Sequence, residues 1–381
     1  MSSAREFWMS SWLRAYPRGG MATCRDSGSP SVGTRSFAPG DCGTPMRAHS
    51  TTQAARFSKR RCVNESSLFR TSGSSKNAHM TGLMPRGNRI AGIRIANRTN
   101  GHNSTLEADL VVDASGRRSR TPVQLEALGY GRPPVEEVPI GLAYATQKMR
   151  LPADRSPDHI VTYPQVPGRP GGFALIGVED GASLFTVFST TGIKMPTSLE
   201  RMLEFIKPFA PADVVRAIGT AEPIAHVAQY RLPSNRWHRY DKIRNLPDGF
   251  LVVGEAVSSF NPSNAQGMTV AALEAIELQN CLGDGPVQMA RRFFRAAAKK
   301  IRPAWQAAVR SDLALPHVAG GRPFRTRLGD RYVKRVITVA EADLLVAEHF
   351  LRVIGMVDSP LRLFHPAVMY RMTTARSVRA A

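Results

Sequence analysis

The most constraining stretch of the sequence runs over residues 248–283, where a short apolar run, a polar loop and a long periodic segment follow one another. Phe250 to Val253 are apolar and predict a buried strand. The loop after it contains Pro262, and apolar residues then recur at helical spacing from Met268 to Leu282 before Gly283. The stretch therefore predicts a strand–loop–helix unit of the kind found in α/β folds.

The start of that helix is suited to a negatively charged or electron-rich ligand. The first N–H groups of a helix have no partner within the helix, and the positive end of its dipole lies there. Gly267 would let a ligand approach the backbone, and Glu255, just beyond the strand, could accept hydrogen bonds from sugar hydroxyls. The same residues equally suit an ordinary strand-to-helix connection, so both interpretations stay open on this argument alone.

A second strand-like stretch lies earlier in the chain. Residues 108–113 form a short apolar run that ends in Ala114-Ser115-Gly116, which predicts a buried strand leading into a turn. Just before it, residues 81–83 and 89–95 alternate apolar and polar side chains around a Pro-Arg-Gly-Asn turn, which predicts a β-hairpin.

Together these stretches resemble two internal motifs of the FAD-dependent monooxygenases and oxidoreductases of the aromatic-hydroxylase type. Gly254-Glu255-Ala256, Pro262 and Gln266-Gly267-Met268 occupy the positions of the family's Gly-Asp-Ala signature, its Pro and the Gly that opens a helix. Asp113-Ala-Ser-Gly116-Arg-Arg-Ser119 looks like the motif near the cofactor pyrophosphate. The resemblance covers about residues 80–355. It implies FAD as cofactor and, as cofactor-binding residues, Asp113, Gly116, Gly254, Glu255, Pro262, Gln266, Gly267 and Met268.

The resemblance also implies roles for these residues. The acid at position 255 would bind the ribityl chain, and the loop and helix start would cover the pyrimidine edge of the flavin ring. Reduced flavin would react with oxygen and transfer a hydroxyl group to a small organic substrate lying over the sheet of residues 135–230. NAD(P)H is a compatible electron donor. Such chemistry needs few catalytic side chains, and none is identified from the sequence.

The sequence departs from the family pattern in three places. The family opens with a strand and Gly-x-Gly-x-x-Gly on a helix, and nothing of this kind precedes residue 80. Position 255 is Glu where the family has Asp, so the carboxylate reaches one methylene further. Ser115 stands where many hydroxylases have Asp, and Pro122 where they often have Arg, which weakens the inference of a nicotinamide partner.

Residues 1–78 differ in composition from the rest. The first 80 residues contain 15 Ser, 12 Lys and Arg, four acids and only four Ile, Leu or Val. Such composition cannot offset the entropy of ordering the chain, so the segment is expected to be disordered. Its Cys24, Cys42 and Cys62 form no close pair and are interpreted as incidental thiols. We hypothesise a truncated or frameshifted member of the family, in which this segment replaces the native N-terminus.

The predicted fold class is α/β (α+β): an incomplete Rossmann-like FAD-binding domain, an inserted antiparallel-sheet domain and a helical C-terminal region. Residues 79–134 and 240–285 would form the remnant of the FAD-binding domain, and residues 135–239 the substrate-type sheet. Two helices, over 198–206 and 212–218, are expected within that sheet domain. Helices are also expected over 287–309 and 336–354, within a C-terminal region of 286–360, and 361–381 would be a tail.

Polar residues of the sheet region are weak catalytic candidates. His226, Tyr230 and His238 lie near its end and are better explained as structural or surface residues. Tyr144 and Tyr163 could line a pocket, although packing in the core is the simpler explanation.

Charge and cysteine content exclude several classes of protein. The net charge of +21 comes from 42 Arg and only nine Lys, a bias typical of GC-rich coding DNA. No basic helix or aromatic-studded sheet motif points to nucleic acid, whereas contact with an anionic membrane surface is compatible with the charge. Four cysteines without a CxxC exclude a disulfide scaffold, no metal site is predicted, and no run is apolar enough for a membrane span. The simplest location is the cytoplasm.

The sequence leaves two functions open. The first is a FAD-dependent oxidoreductase or monooxygenase-like protein, which has lost activity if the missing fingerprint is not replaced. The second is a non-enzymatic remnant, a basic binding protein without cofactor. Loss of the hydrogen bonds to the adenosine half would weaken FAD binding by orders of magnitude, which favours the second.

Overall fold

A computed structural model describes residues 46–49, 77–152, 159–163, 165, 169, 171–319, 324–340 and 343–374. The strands within these residues are β1 (Met46–His49), β2 (Ala78–Arg86), β3 (Arg89–Asn97), β4 (Asn103–Glu107), β5 (Val111–Asp113), β6 (Val135–Arg150), β7 (His159–Tyr163), β8 (Gly172–Gly177), β9 (Ala182–Ser189), β10 (Glu222–Pro223), β11 (Ala228–His238), β12 (Phe250–Val252) and β13 (Ser258–Ser259). The helices are α1 (Thr121–Ala127), α2 (Leu199–Ile206), α3 (Ala212–Gly219), α4 (Gly267–Gly283), α5 (Met289–Asp312), α6 (Phe324–Ala340), α7 (Leu344–Ile354) and α8 (Pro366–Thr374).

The largest element is an antiparallel sheet of eight strands. Seven follow the order β1-β7-β8-β9-β6-β11-β13, and β10 pairs with β6 beside this path. Side chains alternate along its strands, so one face is apolar and packs against α2 and α3. The buried residues of that layer are Ala143, Ala145, Met149, Phe173, Leu175, Phe185, Val187, Met195, Met202, Ile206, Val214 and Ile218. The opposite face is only partly covered.

A second unit contains both predicted motifs. β5 and β12 run parallel and pair along Val111–Asp113 and Phe250–Val252. Beside them, β2, β3 and β4 form a three-stranded antiparallel sheet. The core of this unit is completed by α4 and by α5, whose buried positions Phe293, Ala297, Ile301, Ala304 and Ala308 keep helical spacing. The mixed α/β class with an inserted antiparallel sheet is therefore confirmed.

Most of the predicted elements form where the pattern places them. The hairpin, the strands at 111–113 and 250–252 and the helix from 267 all do so. The long strand β11 was not predicted. The helix expected over 336–354 is wrong as a single element, because α6 ends at Ala340 and α7 begins at Leu344. The expected tail contains α8, whose Val368 and Met372 pack against α6 and α7.

Most of residues 1–78, including the three cysteines there, lies outside the described residues. The part that is described includes β1, which pairs with β7 as an edge strand. Among the described helices, none is long and apolar enough to cross a membrane. The described residues also contain no group of three His, Cys, Asp or Glu side chains that could bind a metal ion.

Candidate functional site

The turn after β5 is organised by Asp113. Its carboxylate accepts hydrogen bonds from the Ser115 amide at 2.8 Å and from the hydroxyls of Ser119 and Thr121, both at 2.5 Å. Burial alone would raise the pKa of Asp113, but these hydrogen bonds outweigh it and lower the pKa below its ordinary value. Asp113 therefore stays ionised and fixes the turn, which presents Gly116 in a left-handed conformation.

The turn after β12 is held in a different way. Gly254 has a φ of +65°, and its N–H donates to Oε2 of Glu274 at 2.6 Å. Glu274 lies on α4 and is fully buried. The hydrogen bond joins Gly254, just beyond β12, to the middle of α4. It therefore holds the first residues of the loop between β12 and α4 against the helix. Glu255, the next residue, is left exposed.

These two turns meet because parallel strands end at the same edge of a sheet. Between them lies a cleft of about 370 Å³. Its lining residues are Ala114, Gly116, Val253, Gly254, Glu255, Ala271, Ala275 and Leu278. Of the eight residues that the resemblance implicates, three line this cleft: Gly116, Gly254 and Glu255.

The other five lie outside the cleft lining. Asp113 accepts the hydrogen bonds that hold the turn after β5. Pro262, Gly267 and Met268 are exposed around the start of α4, and Met268 is 64% exposed. Gln266 donates its side-chain amide to the carbonyl of Ile354 at 3.1 Å, so it contacts the C-terminal helices. Among the described residues no side chain caps the N-terminus of α4, and a Cβ at Gly267 would meet none of their atoms within 4 Å. Space at the helix start is therefore open to a ligand.

Glu274 is a site residue that sequence reasoning missed. Burial, opposed only by the hydrogen bond from Gly254, raises its pKa to about 8, so the carboxyl is largely neutral at pH 7. Its Oε1 has no hydrogen-bond partner among the described residues. The available signal was its position four residues after Val270 and seven before Cys281, which places an acid in the buried stripe of α4.

A cluster of charged and hydroxyl side chains links the turn after β5 to the large sheet. Arg117 donates to Ser234 at 2.9 Å and also to Ser259, and Arg236 donates to the carbonyl of Arg117 at 2.5 Å. Burial and the nearby Arg236 lower the pKa of Arg117, although a guanidinium remains charged at pH 7. These contacts fix the turn that carries Gly116 against β11 and β13.

The partly covered face of the large sheet lies next to this cluster. Tyr144 is paired across strands with Tyr230 and with Phe188, and the rings of the two tyrosines are 5.2 Å apart. Two residues along, the hydroxyls of Thr146 and Thr186 are hydrogen bonded at 2.8 Å. We call these five residues the open face. Burial, and then the nearby Tyr230 and Glu255, raise the pKa of Tyr144.

The two histidines of this region lie outside the cleft lining. Burial and the adjacent Arg236 lower the pKa of His238 to about 4, so His238 is neutral at pH 7. His226 is exposed, and neither residue lines the cleft. The side chain of Tyr163 lies outside the described residues.

The cleft fits the ribityl chain and the flavin ring of FAD better than it fits the diphosphate. The carboxylate of Glu255 faces it without a hydrogen-bond partner among the described residues, and the lining of Ala271, Ala275 and Leu278 is apolar. This suits a hydroxyl-bearing chain attached to a flat apolar ring. No Lys or Arg belongs to the described lining, so nothing there compensates a diphosphate. A larger cleft of about 600 Å³ lies at the other end of β12, beside Arg244 and Arg291, and contains none of the motif residues.

Comparison with known proteins gives a relative in sequence and solved structures of similar fold. No family model matches the chain. Protein Rv3254 of Mycobacterium tuberculosis is 33% identical over an alignment of 287 residues, and the match covers 72% of this chain and 60% of that protein. The chain thus spans less than two thirds of the length of this relative.

Solved structures share the fold at low sequence identity. The flavin-dependent brominase Bmp2 aligns with a TM-score of 0.53 and 13% identity, over 79% of this chain and 68% of Bmp2. The anhydrotetracycline hydroxylase OxyS from Streptomyces rimosus aligns with a TM-score of 0.51 and 12% identity, over 78% of this chain and 55% of OxyS. The chain has the fold of the flavin-dependent monooxygenases and halogenases.

Proposed function

We propose that the chain binds FAD at the cleft between β5, β12 and α4 and acts as a flavin-dependent monooxygenase on a small organic molecule. One observation carries the proposal. Gly116 and Gly254-Glu255, which belong to two motifs far apart in the sequence, come together in one cleft at the carboxyl ends of parallel strands. Ligands of α/β sheets bind at such ends.

Each residue has a distinct role in holding the cofactor. Glu255 accepts hydrogen bonds from ribityl hydroxyls, and the left-handed turns at Gly116 and Gly254 let the ligand approach the backbone. The uncapped first turn of α4, at Gly267 and Met268, donates to the electron-rich edge of the ring. When bound, the flavin supplies the two-electron chemistry that activates oxygen. NAD(P)H as the electron donor is part of the same proposal.

The open face is the proposed substrate surface. Its rings at Tyr144, Phe188 and Tyr230 offer apolar contact to a flat molecule, and Thr146 and Thr186 offer hydroxyls. The names of Bmp2, a flavin-dependent brominase, and OxyS, an anhydrotetracycline hydroxylase, fit a role of this fold in modifying small molecules.

Visible absorption spectroscopy of the purified protein, mixed with FAD and passed through gel filtration, tests the proposal. We expect a flavin spectrum in the protein peak. Glu255→Ala removes the hydroxyl acceptor and Gly267→Asp places a negative charge at the helix start, so both are expected to abolish the spectrum. Glu126→Ala, an exposed acid near Arg132 and outside the cleft, is the matched control and should keep it. A colourless wild-type peak would refute FAD binding.

A further inference from the structure

Asp312 is a buried carboxylate to which neither motif assigns a role. It is the last residue of α5 and is 2% exposed. The negative end of the helix dipole lies there, so both burial and position disfavour its charge. Burial raises the pKa of Asp312, while hydrogen bonds from Asn235 and Asn261 oppose that shift. Among the described residues no Lys or Arg is paired with it. A carboxylate kept in such a place is a candidate functional residue.

Two asparagines satisfy this carboxylate. Asn235 of β11 donates its side-chain amide to Oδ2 at 2.6 Å, and Asn261 donates its own to Oδ1 at 2.7 Å. The backbone N–H of Asn261 donates to Oδ1 of Asn235 at 2.6 Å. The three side chains and the backbone N–H of Asn261 therefore form a closed, buried ring of hydrogen bonds between the large sheet, α5 and the loop before α4.

The ring determines which way the Asn261 amide faces. Both oxygens of Asp312 accept from asparagine NH₂ groups, so the NH₂ group of Asn261 faces Asp312 and Oδ1 of Asn261 faces the loop. That Oδ1 accepts from the amide of Ser263 at 3.0 Å and from its hydroxyl at 2.7 Å. These bonds form the turn at Pro262–Asn264, which leads through Ala265 in a left-handed conformation to Gly267.

We infer that Asp312 is a positioning residue that, through Asn235 and Asn261, fixes the loop before Gly267 in the conformation that receives the flavin. The inference rests on the proposed function, because the flavin is the ligand of that loop. Asp312 itself contacts neither motif directly and acts only through the asparagine ring.

Exchanging the hydrogen-bond acceptor at position 312 and the donor at position 261 tests the inference. In Asp312→Asn, an NH₂ group opposes the NH₂ of Asn235 or Asn261, so one hydrogen bond is lost and the amide of Asn261 is free to turn over. In the double variant D312N/N261D, Asn at 312 donates to Asp at 261, which still accepts from Ser263. Every hydrogen bond of the ring and the net charge are restored. Asp241→Asn is the matched control. Asp241 accepts a hydrogen bond from Arg239 at 2.7 Å and takes no part in the ring.

Two readouts are measured on the full chain: the dissociation constant of FAD by flavin fluorescence, and hydrogen exchange of the 257–268 peptide without FAD. For D312N we expect about tenfold weaker FAD binding and faster exchange of the loop, and for the double variant a return to within about threefold of wild type. D241N should lower the melting temperature and leave both readouts unchanged. Loop exchange of D312N at the wild-type rate, or a double variant that fails to recover, overturns the inference. If wild type binds no FAD, the proposed function fails, and the exchange data still decide whether Asp312 positions the loop.

Discussion

At the scale of the residue, the candidate site depends on carboxyl groups in different environments. Hydrogen-bond donors around Asp113 lower its pKa, so Asp113 is ionised at pH 7. Burial raises the pKa of Glu274, so Glu274 is largely neutral at pH 7. Glu255 is the exposed acid that faces the cleft. The resemblance implicates Asp113 and Glu255, yet the two have different tasks, since Asp113 builds the turn and Glu255 remains available to a ligand. The side chain that holds Gly254, Glu274, belongs to neither motif.

Glu274 makes the stability of the protein depend on pH. Its pKa is about 8 in the folded protein and 4.5 ordinarily, so the unfolded chain loses the proton first as pH rises. The contribution of Glu274 to stability is therefore full below pH 4.5 and declines up to about pH 8. Glu274→Gln keeps an acceptor for Gly254 without a charge. We expect its free energy of unfolding, relative to wild type, to rise between pH 5 and pH 8, as measured by urea denaturation.

Glu126→Gln is the control for that experiment, because Glu126 is exposed and its distance to Arg132 is 3.8 Å. Its difference from wild type should not change with pH. A constant difference between Glu274→Gln and wild type at both pH values would show that Glu274 is ionised in the folded protein, contrary to the account.

At the scale of the element, periodic patterns predicted the segments that bury one continuous side. α5 follows this rule, since its buried residues recur at helical spacing from Met289 to Ala308. β12 was predicted from its apolar run and is buried at all three residues. β11 was missed because Pro233 and a register shift between Leu232 and Ser234 interrupt its alternation. The break between α6 and α7 was missed although Asp343 caps α7 by accepting hydrogen bonds from the amides of Leu345 and Val346. Helical spacing across 336–354 concealed that cap.

Single polar residues inside apolar patterns were also not identified from the sequence. Glu274 and Asp312 each occupy one buried position on a long helix, and their partners come from distant parts of the chain. Spacing indicates which side of a helix is buried, but it does not indicate which backbone amide or asparagine will meet the side chain. The motifs could therefore be found from the sequence, and the groups that support them could not.

The turn at Gly249 joins three elements and allows a prediction at this scale. Gly249 has a φ of +70°, and a Cβ there would lie 2.6 Å from the carbonyl oxygen of Ile90. Its own carbonyl accepts from Val111 at 2.9 Å, so the turn connects β3, β5 and β12. Gly249→Ala should therefore cost more than backbone strain alone, which is about 1–2 kcal/mol.

Gly131→Ala is the matched control, because Gly131 has a φ of +83° and a Cβ there would lie more than 4 Å from every atom of the described part of the chain. Chemical denaturation should show that Gly249→Ala loses at least about twice the stability lost by Gly131→Ala. Equal losses for the two variants would mean that the three elements do not meet as closely as described.

At the scale of the whole molecule, the described chain contains a motif-bearing unit and a large sheet that are joined at the candidate site. Arg117 reaches from the turn after β5 to Ser234 on β11, and Asn261 connects the loop before α4 to the same strand. A ligand in the cleft would therefore lie close to the open face. The fold that holds the two surfaces is shared, at low sequence identity, with flavin-dependent enzymes.

Hydrogen–deuterium exchange of the full chain, with and without FAD, tests the central claim most directly because it locates the cofactor. The account predicts slower exchange in three segments when FAD is added: residues 113–118, 253–256 and 267–278. FAD that binds without protecting the segments around Gly116 and Gly254, or that protects only the larger cleft beside Arg244 and Arg291, would contradict it.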